Sequence, residues 1–211
     1  MKTPPLADLI LPAKDHYSAA LPYHNWQHAL DVMKGAQELI ERLSQKGIVV
    51  DRPVIMVAAA WHDAGYHEDY KKRGYKTKEH FSAALAADFL EQASVSHEII
   101  KKVQIAILGT IHYAKREELE ALVLHRADIA NIGSDYKAFR HNNSLLYKEV
   151  ALHGKQPAWP DWMQGTADLI DKLVAEAKQE LPRLGETLSG PESFITNATR
   201  NARRLSGEQT P

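Results

Sequence analysis

The sequence predicts an all-α fold, and three observations carry that expectation. Apolar residues return every three or four positions along nearly the whole chain, no segment sustains the alternation of a half-buried strand, and capping residues stand ahead of several apolar runs. From His24 to Leu43 the residues Val32, Met33, Ala36, Leu39, Ile40 and Leu43 form one stripe, and Gly47 stands where a helix would stop. Asp51 and Pro53 read as an N-cap and a first-turn proline. They open Val54 to Trp61, a run apolar on every side and therefore expected to be a central helix enclosed by others. It leads into His62-Asp63-Ala64-Gly65-Tyr66. The stretch holding Lys71, Lys72, Arg73, Lys76 and Lys78, broken by Gly74, is too charged for a core and reads as a loop. Thr77 starts the next helix, with Phe81, Ala84, Leu85, Phe89 and Leu90 as its apolar face. Ser96 caps another that is expected to run through Val103 and Ile111 to His112. Further helices are expected over 119–132 with Gly133 as a stop, over 136–152, over 162–177 after a break at 154–160, and over 194–205.

Composition narrows the function. With 44% hydrophobic and 25% charged residues in 211, the chain is an ordinary globular protein, which excludes disordered, collagenous and coiled-coil classes. The formal net charge of −1 provides no overall field for nucleic acid or an anionic membrane, so an anionic substrate must be held by local charge. The absence of cysteine removes disulfides, thiolate metal sites, iron–sulfur clusters and cysteine nucleophiles together. The N-terminal segment lacks the apolar core of a signal peptide, and no apolar run approaches the roughly 18 to 20 residues of a spanning helix, so a cytoplasmic location is the expectation.

The chemistry-bearing residues fall at informative places. His62-Asp63 closes the most apolar helix, where an unpaired carboxylate is costly to bury, so Asp63 must be neutralised. The plainer alternative is a hydrogen-bonded structural aspartate beside a core histidine. His24 and His28 stand i and i+4 on the preceding helix, and His28 continues the face of Val32 and Leu39, which points it inward. Asp128 is again an acid in apolar helical text. Imidazole with carboxylate and no thiolate is a ligand set for one or two divalent ions among Mn, Fe, Ni, Mg, Co and Zn.

These residues stand in the order H…HD…D, and the chain here resembles the HD-domain metal-dependent phosphohydrolases. The segment Tyr23-His-Asn-Trp-Gln-His-Ala-Leu-Asp-Val32 is similar to the YHNxxHAxDV text of cyclic-nucleotide phosphodiesterases, and Ala58-Ala-Ala-Trp-His-Asp-Ala-Gly65 to the superfamily's AAxxHDxG. The resemblance covers about residues 20–135 and is nearest to small bacterial members. It implies a single HD-type helical domain over 1–211, with 136–211 as an elaboration. It also implies metal ligation by His28, His62, Asp63 and Asp128, and a general-acid role for His24. Some members carry two more histidines and a second metal, and His80 and His112 stand in the right order for that set.

The expected activity is hydrolysis of a phosphomonoester, a phosphodiester or a nucleotide by water activated on the metal, with Asp63 central to the site. Lys72, Arg73, Lys76 and Arg140 are candidate phosphate-holding residues, although a solvated charged loop is the plainer reading of the first three. Two other classes stay open: a di-iron oxygenase on the same fold, and a non-catalytic nucleotide-binding module. The expected partner is a small phosphorylated molecule rather than a nucleic acid polymer or a membrane, and a homo-oligomer is allowed.

Overall fold

The structure is a computed structural model that describes residues 4–152, 154, 156–191 and 193–208. It is all-α, with helices and turns and no strand among the described residues. The chain divides into two compact units, Met1–Asp128 and Ile129–Pro211.

The first unit is built around the helix the sequence marks as enclosed. α1 (Leu6–Ile10) and a 3-10 turn (Leu11–His16) lead to α2 (Trp26–Gln45), α3 (Arg52–Trp61), α4 (Lys78–Gln92), α5 (His97–Leu108) and α6 (Leu119–Asp128). Helix α3 is packed by α1, α2, α4, α5 and α6. Its residues Ile55, Ala58, Ala59, Ala60 and Trp61 are wholly shielded from solvent. A helix with no polar face has nowhere else to go, because each large apolar side chain left exposed, such as Ile55, would forgo roughly 1.5 to 3 kcal/mol of burial. Trp61 stacks on Phe89 with ring centroids 5.1 Å apart, and its indole N–H donates to the carbonyl of Leu9 at 2.9 Å.

The caps read from the sequence are present. Asp51 accepts from the amide of Val54, Thr77 from that of His80, and Ser96 from that of Ile99. Several boundaries move. Asn25, not a residue at or before His24, caps α2, its side chain accepting from Gln27 and His28 while its amide group donates to the carbonyls of Leu21 and Pro22. His24 therefore lies ahead of the helix rather than one turn before His28 on it. Helix α5 ends at Leu108 and does not reach His112, because the buried Arg116 guanidinium donates to the carbonyls of Gly109 and Ile111 and satisfies the end of the helix there. The helix expected over 119–132 is α-helical to Asp128 and then tightens to a 3-10 turn over Ile129–Gly133.

The second unit comprises α7 (Tyr136–Leu152), α8 (Trp159–Glu180), a 3-10 turn (Leu181–Leu184) and α9 (Phe194–Leu205). Its core joins Phe139, Trp159, Ile170, Leu173, Ala198 and Leu205. Asn201 of α9 donates to the carbonyls of Ile132 and Ser134 at 2.9 Å each, tying that helix to the turn that opens the unit. No described helix is long and apolar enough to cross a membrane.

Candidate metal centre

The enclosure of α3 carries His62 and Asp63 into the interior of the first unit, where they are 0% and 2% exposed. The chain then turns sharply. Gly65 adopts φ +75°, its amide donates to the carbonyl of His16 at 2.8 Å, and a Cβ there would stand 2.6 Å from the Phe81 ring. Only glycine fits this turn, and it fixes where Asp63 leaves the helix. The first turn of α2, held by the Asn25 cap, brings in His28. The last residue of α6 brings in Asp128.

Four donor groups converge. The Nε2 atoms of His28 and His62 are 3.3 Å apart. Asp128 Oδ1 lies 3.2 Å from His28 Nε2 and 3.6 Å from His62 Nε2, and Asp63 Oδ2 lies 3.5 Å and 3.1 Å from the same two atoms. For metal–ligand bonds of about 2.1 Å, donors at right angles are about 3.0 Å apart and donors at the tetrahedral angle about 3.4 Å. The separations that involve an imidazole, 3.1 to 3.6 Å, lie close to those values. His28, His62 and Asp128 form a group able to hold a metal ion, with Asp63 Oδ2 beside it.

The surrounding bonds orient these donors. His62 Nδ1 lies 2.8 Å from the carbonyl of Ala59, an acceptor, so Nδ1 carries a proton and Nε2 is the atom that can offer its lone pair to the centre. Tyr17 accepts from the amide of Asp63 at 3.3 Å and donates to the carbonyl of Ala60 at 2.9 Å, which steadies the end of α3. Burial acts against ionised groups here, but mutual attraction outweighs it. Burial alone would raise the Asp63 carboxyl, yet His62, Lys78 and His24 hold it well below the usual carboxylate range. Asp128 is likewise held low, against burial, by the hydrogen bonds of His28 and His62. Burial lowers His62, but Asp63 and Asp128 push it up to about 10. The two carboxylates thus demand positive charge at the point where the imidazoles meet, and either protons or a metal ion supplies it.

The other expected site residues separate into groups. His24, ahead of α2, stacks flat on Tyr66 with centroids 3.9 Å apart and planes 14° apart, and its ring centroid is 5.7 Å from that of His28. It stands next to the donors and outside the tight group. His80 and His112 are not in a convergent group either. His80 Nδ1 bonds the Thr77 hydroxyl at 2.9 Å, and its ring lines a cavity of about 300 Å³ shared with Ile105, Leu108, Lys115 and Arg116. His112 is exposed on the turn after α5. Lys72 pairs with Asp69 at 3.3 Å, Arg73 pairs with Glu68 and lies over the Phe81 ring, and Lys76 is exposed. Arg140 belongs to the second unit, where it engages Glu208 and lies over Trp159.

Sequence reasoning missed Lys78, Glu79, Tyr17 and Tyr66. Lys78 Nζ donates to Asp63 Oδ1 at 2.7 Å, lies 3.3 Å from Glu79 Oε1, and stands 4.8 Å from the centroid of the Tyr66 ring. Lys78 was legible only as one more cation of a basic loop. The Thr77 cap is the signal that distinguishes it, because it places Lys78 and Glu79 in the first turn of a buried helix. Comparison with protein-family models and with curated proteins returns no match, so fold and site together define an all-α protein with a histidine–aspartate candidate metal centre.

Proposed function

We propose that this protein is a metal-dependent phosphohydrolase of the HD-domain type, acting on a phosphomonoester, a phosphodiester or a nucleotide. The observation that carries the reading is the convergence, at 3.1 to 3.6 Å, of His28, His62, Asp63 and Asp128 from three helix ends, in the order the HD resemblance implies. A divalent ion bound there would supply positive charge to phosphoryl oxygens and lower the pKa of water.

The chain's own residues do the rest. His28, His62 and Asp128 would hold the ion, and the Ala59 carbonyl keeps the His62 ring in the tautomer that offers Nε2. His24, fixed against Tyr66 beside ligand His28, protonates the departing oxygen. The loop bearing Lys72, Arg73 and Lys76 adds positive potential, although Asp69 and Glu68 already engage two of these cations, so their share in binding phosphate is small.

The test is metal content and turnover in Asp63→Ala, measured against a panel of phosphomonoesters, phosphodiesters and nucleotides with Mn, Mg, Ni or Fe added. Both quantities fall together if Asp63 serves the centre. Full metal content with near wild-type turnover in that variant would overturn the assignment.

A further inference from the structure

We infer that the centre takes one metal ion, and that the Lys78 ammonium occupies the position a second ion would need. The inference rests on the metal reading above and goes beyond it. In a two-ion site Asp63 would bridge, one carboxylate oxygen to each ion. Here Asp63 Oδ2 faces the two imidazoles, while Oδ1 accepts a 2.7 Å hydrogen bond from Lys78 Nζ. Glu79 Oε1 lies 3.3 Å from the same nitrogen. Two carboxylate oxygens therefore converge on one ammonium, as they would on a metal ion, and Glu79 is itself buried.

The histidines that would complete a second site do not join the converging group. His80 lines a separate cavity with Ile105, Leu108 and Arg116, and His112 is exposed beyond the end of α5. Lys78 is placed by the first turn of α4, so its charge is fixed to the scaffold rather than supplied from solution. A divalent ion entering beside it would face a like charge within contact distance and would have to displace a short charge-assisted hydrogen bond. Lys78 is thus a positioning residue: it keeps the outer oxygen of Asp63 occupied and turns the inner one toward the single ion.

Native mass spectrometry and electron paramagnetic resonance of the full chain titrated with Mn(II) test this. Wild type takes one ion and shows no exchange coupling between ions, and His80→Ala and His112→Ala keep that stoichiometry. Lys78→Ala leaves the Asp63 and Glu79 oxygens facing a gap of ammonium size, and it takes a second ion at excess Mn(II). Lys78→Arg restores single occupancy. Two ions in wild type, or one ion still in a folded Lys78→Ala, overturn the inference alone. No ion in wild type overturns the metal reading together with it.

Discussion

Replacing Gly65 by alanine separates two contributions that usually come mixed. At φ +75° a Cβ introduces left-handed backbone strain of about 1 kcal/mol. The same atom would stand 2.6 Å from Phe81 Cε1 and 2.8 Å from Leu85 Cδ1, inside a packed core, and overpacking of this kind costs typically about 1 to 3 kcal/mol. The expected loss is about 2 to 4 kcal/mol. Gly74 is the internal control, since it has φ +85° and nothing within 4 Å of the added Cβ. Gly74→Ala therefore carries the strain without the clash and loses at most about 1 kcal/mol. For a unit of this size each kcal/mol moves the midpoint by roughly 3 to 4 °C, so Gly65→Ala melts about 6 to 16 °C lower and Gly74→Ala no more than about 4 °C lower. Far-UV circular dichroism melts of the two variants and wild type make the comparison. If the two variants melt together, the packing of the turn against Phe81 and Leu85 is wrong, and with it the argument that this turn fixes Asp63.

Three further outcomes follow from the centre. His28→Ala and Asp128→Ala each lower bound metal by removing a donor from the converging group, whereas Lys76→Ala leaves it unchanged; elemental analysis after dialysis decides this. His24→Ala keeps its metal and loses turnover by roughly a hundredfold on a substrate with a poor alkoxide leaving group, but much less on an activated aryl phosphate. Equal losses on the two substrates would make His24 a structural residue, and loss of metal would make it a ligand. Because the carboxylates push His62 up to about 10, its Nε2 carries a proton at neutral pH that an ion must displace. Lowering the pH refills that proton, so apparent ion affinity rises with pH by up to about tenfold per unit across roughly pH 6 to 9, which isothermal titration in buffers of different ionisation enthalpy reads as proton release. A flat affinity over that range would refute the protonated histidine–carboxylate picture.

What the sequence revealed was local in character. The caps at Asp51, Thr77 and Ser96 are legible because a side chain reaching its own helix's first amides needs only the next few residues. The enclosure of α3 is legible because an apolar run without a polar face admits one environment. Boundaries set by distant partners were not. Helix α5 keeps its apolar pattern past Leu108, and the end at the Gly109 cap is held by the return of Arg116 to the carbonyls of Gly109 and Ile111. Pro160 reads as part of a break, yet it stands in the first turn of α8, where its missing amide hydrogen is no loss. At the centre, the donors His28, His62, Asp63 and Asp128 could be picked out because acids and histidines stand out in apolar text. Lys78 could not, because a lysine in a basic stretch is unremarkable until the fold sets it against a carboxylate 15 residues earlier.

The four donors come from the beginning of α2, the end of α3 and the end of α6, which are far apart along the chain but adjacent in the first unit. An ion gripped by all three acts as a removable cross-link. It would close two long chain segments at once, and it would add to the apolar packing and to the Arg52–Gln37 and Asp51–Glu120 hydrogen bonds that already join these helices. Stability then becomes a function of free metal: an ion present at about a hundred times its dissociation constant adds about 2.7 kcal/mol to the folded state, and a chelator takes the same amount away. A protein wired in this way reports the metal supply of its surroundings through its own lifetime, because the metal-depleted chain unfolds more often and is more exposed to proteolysis. On the proposed function, turnover and persistence would thus depend on the same ion.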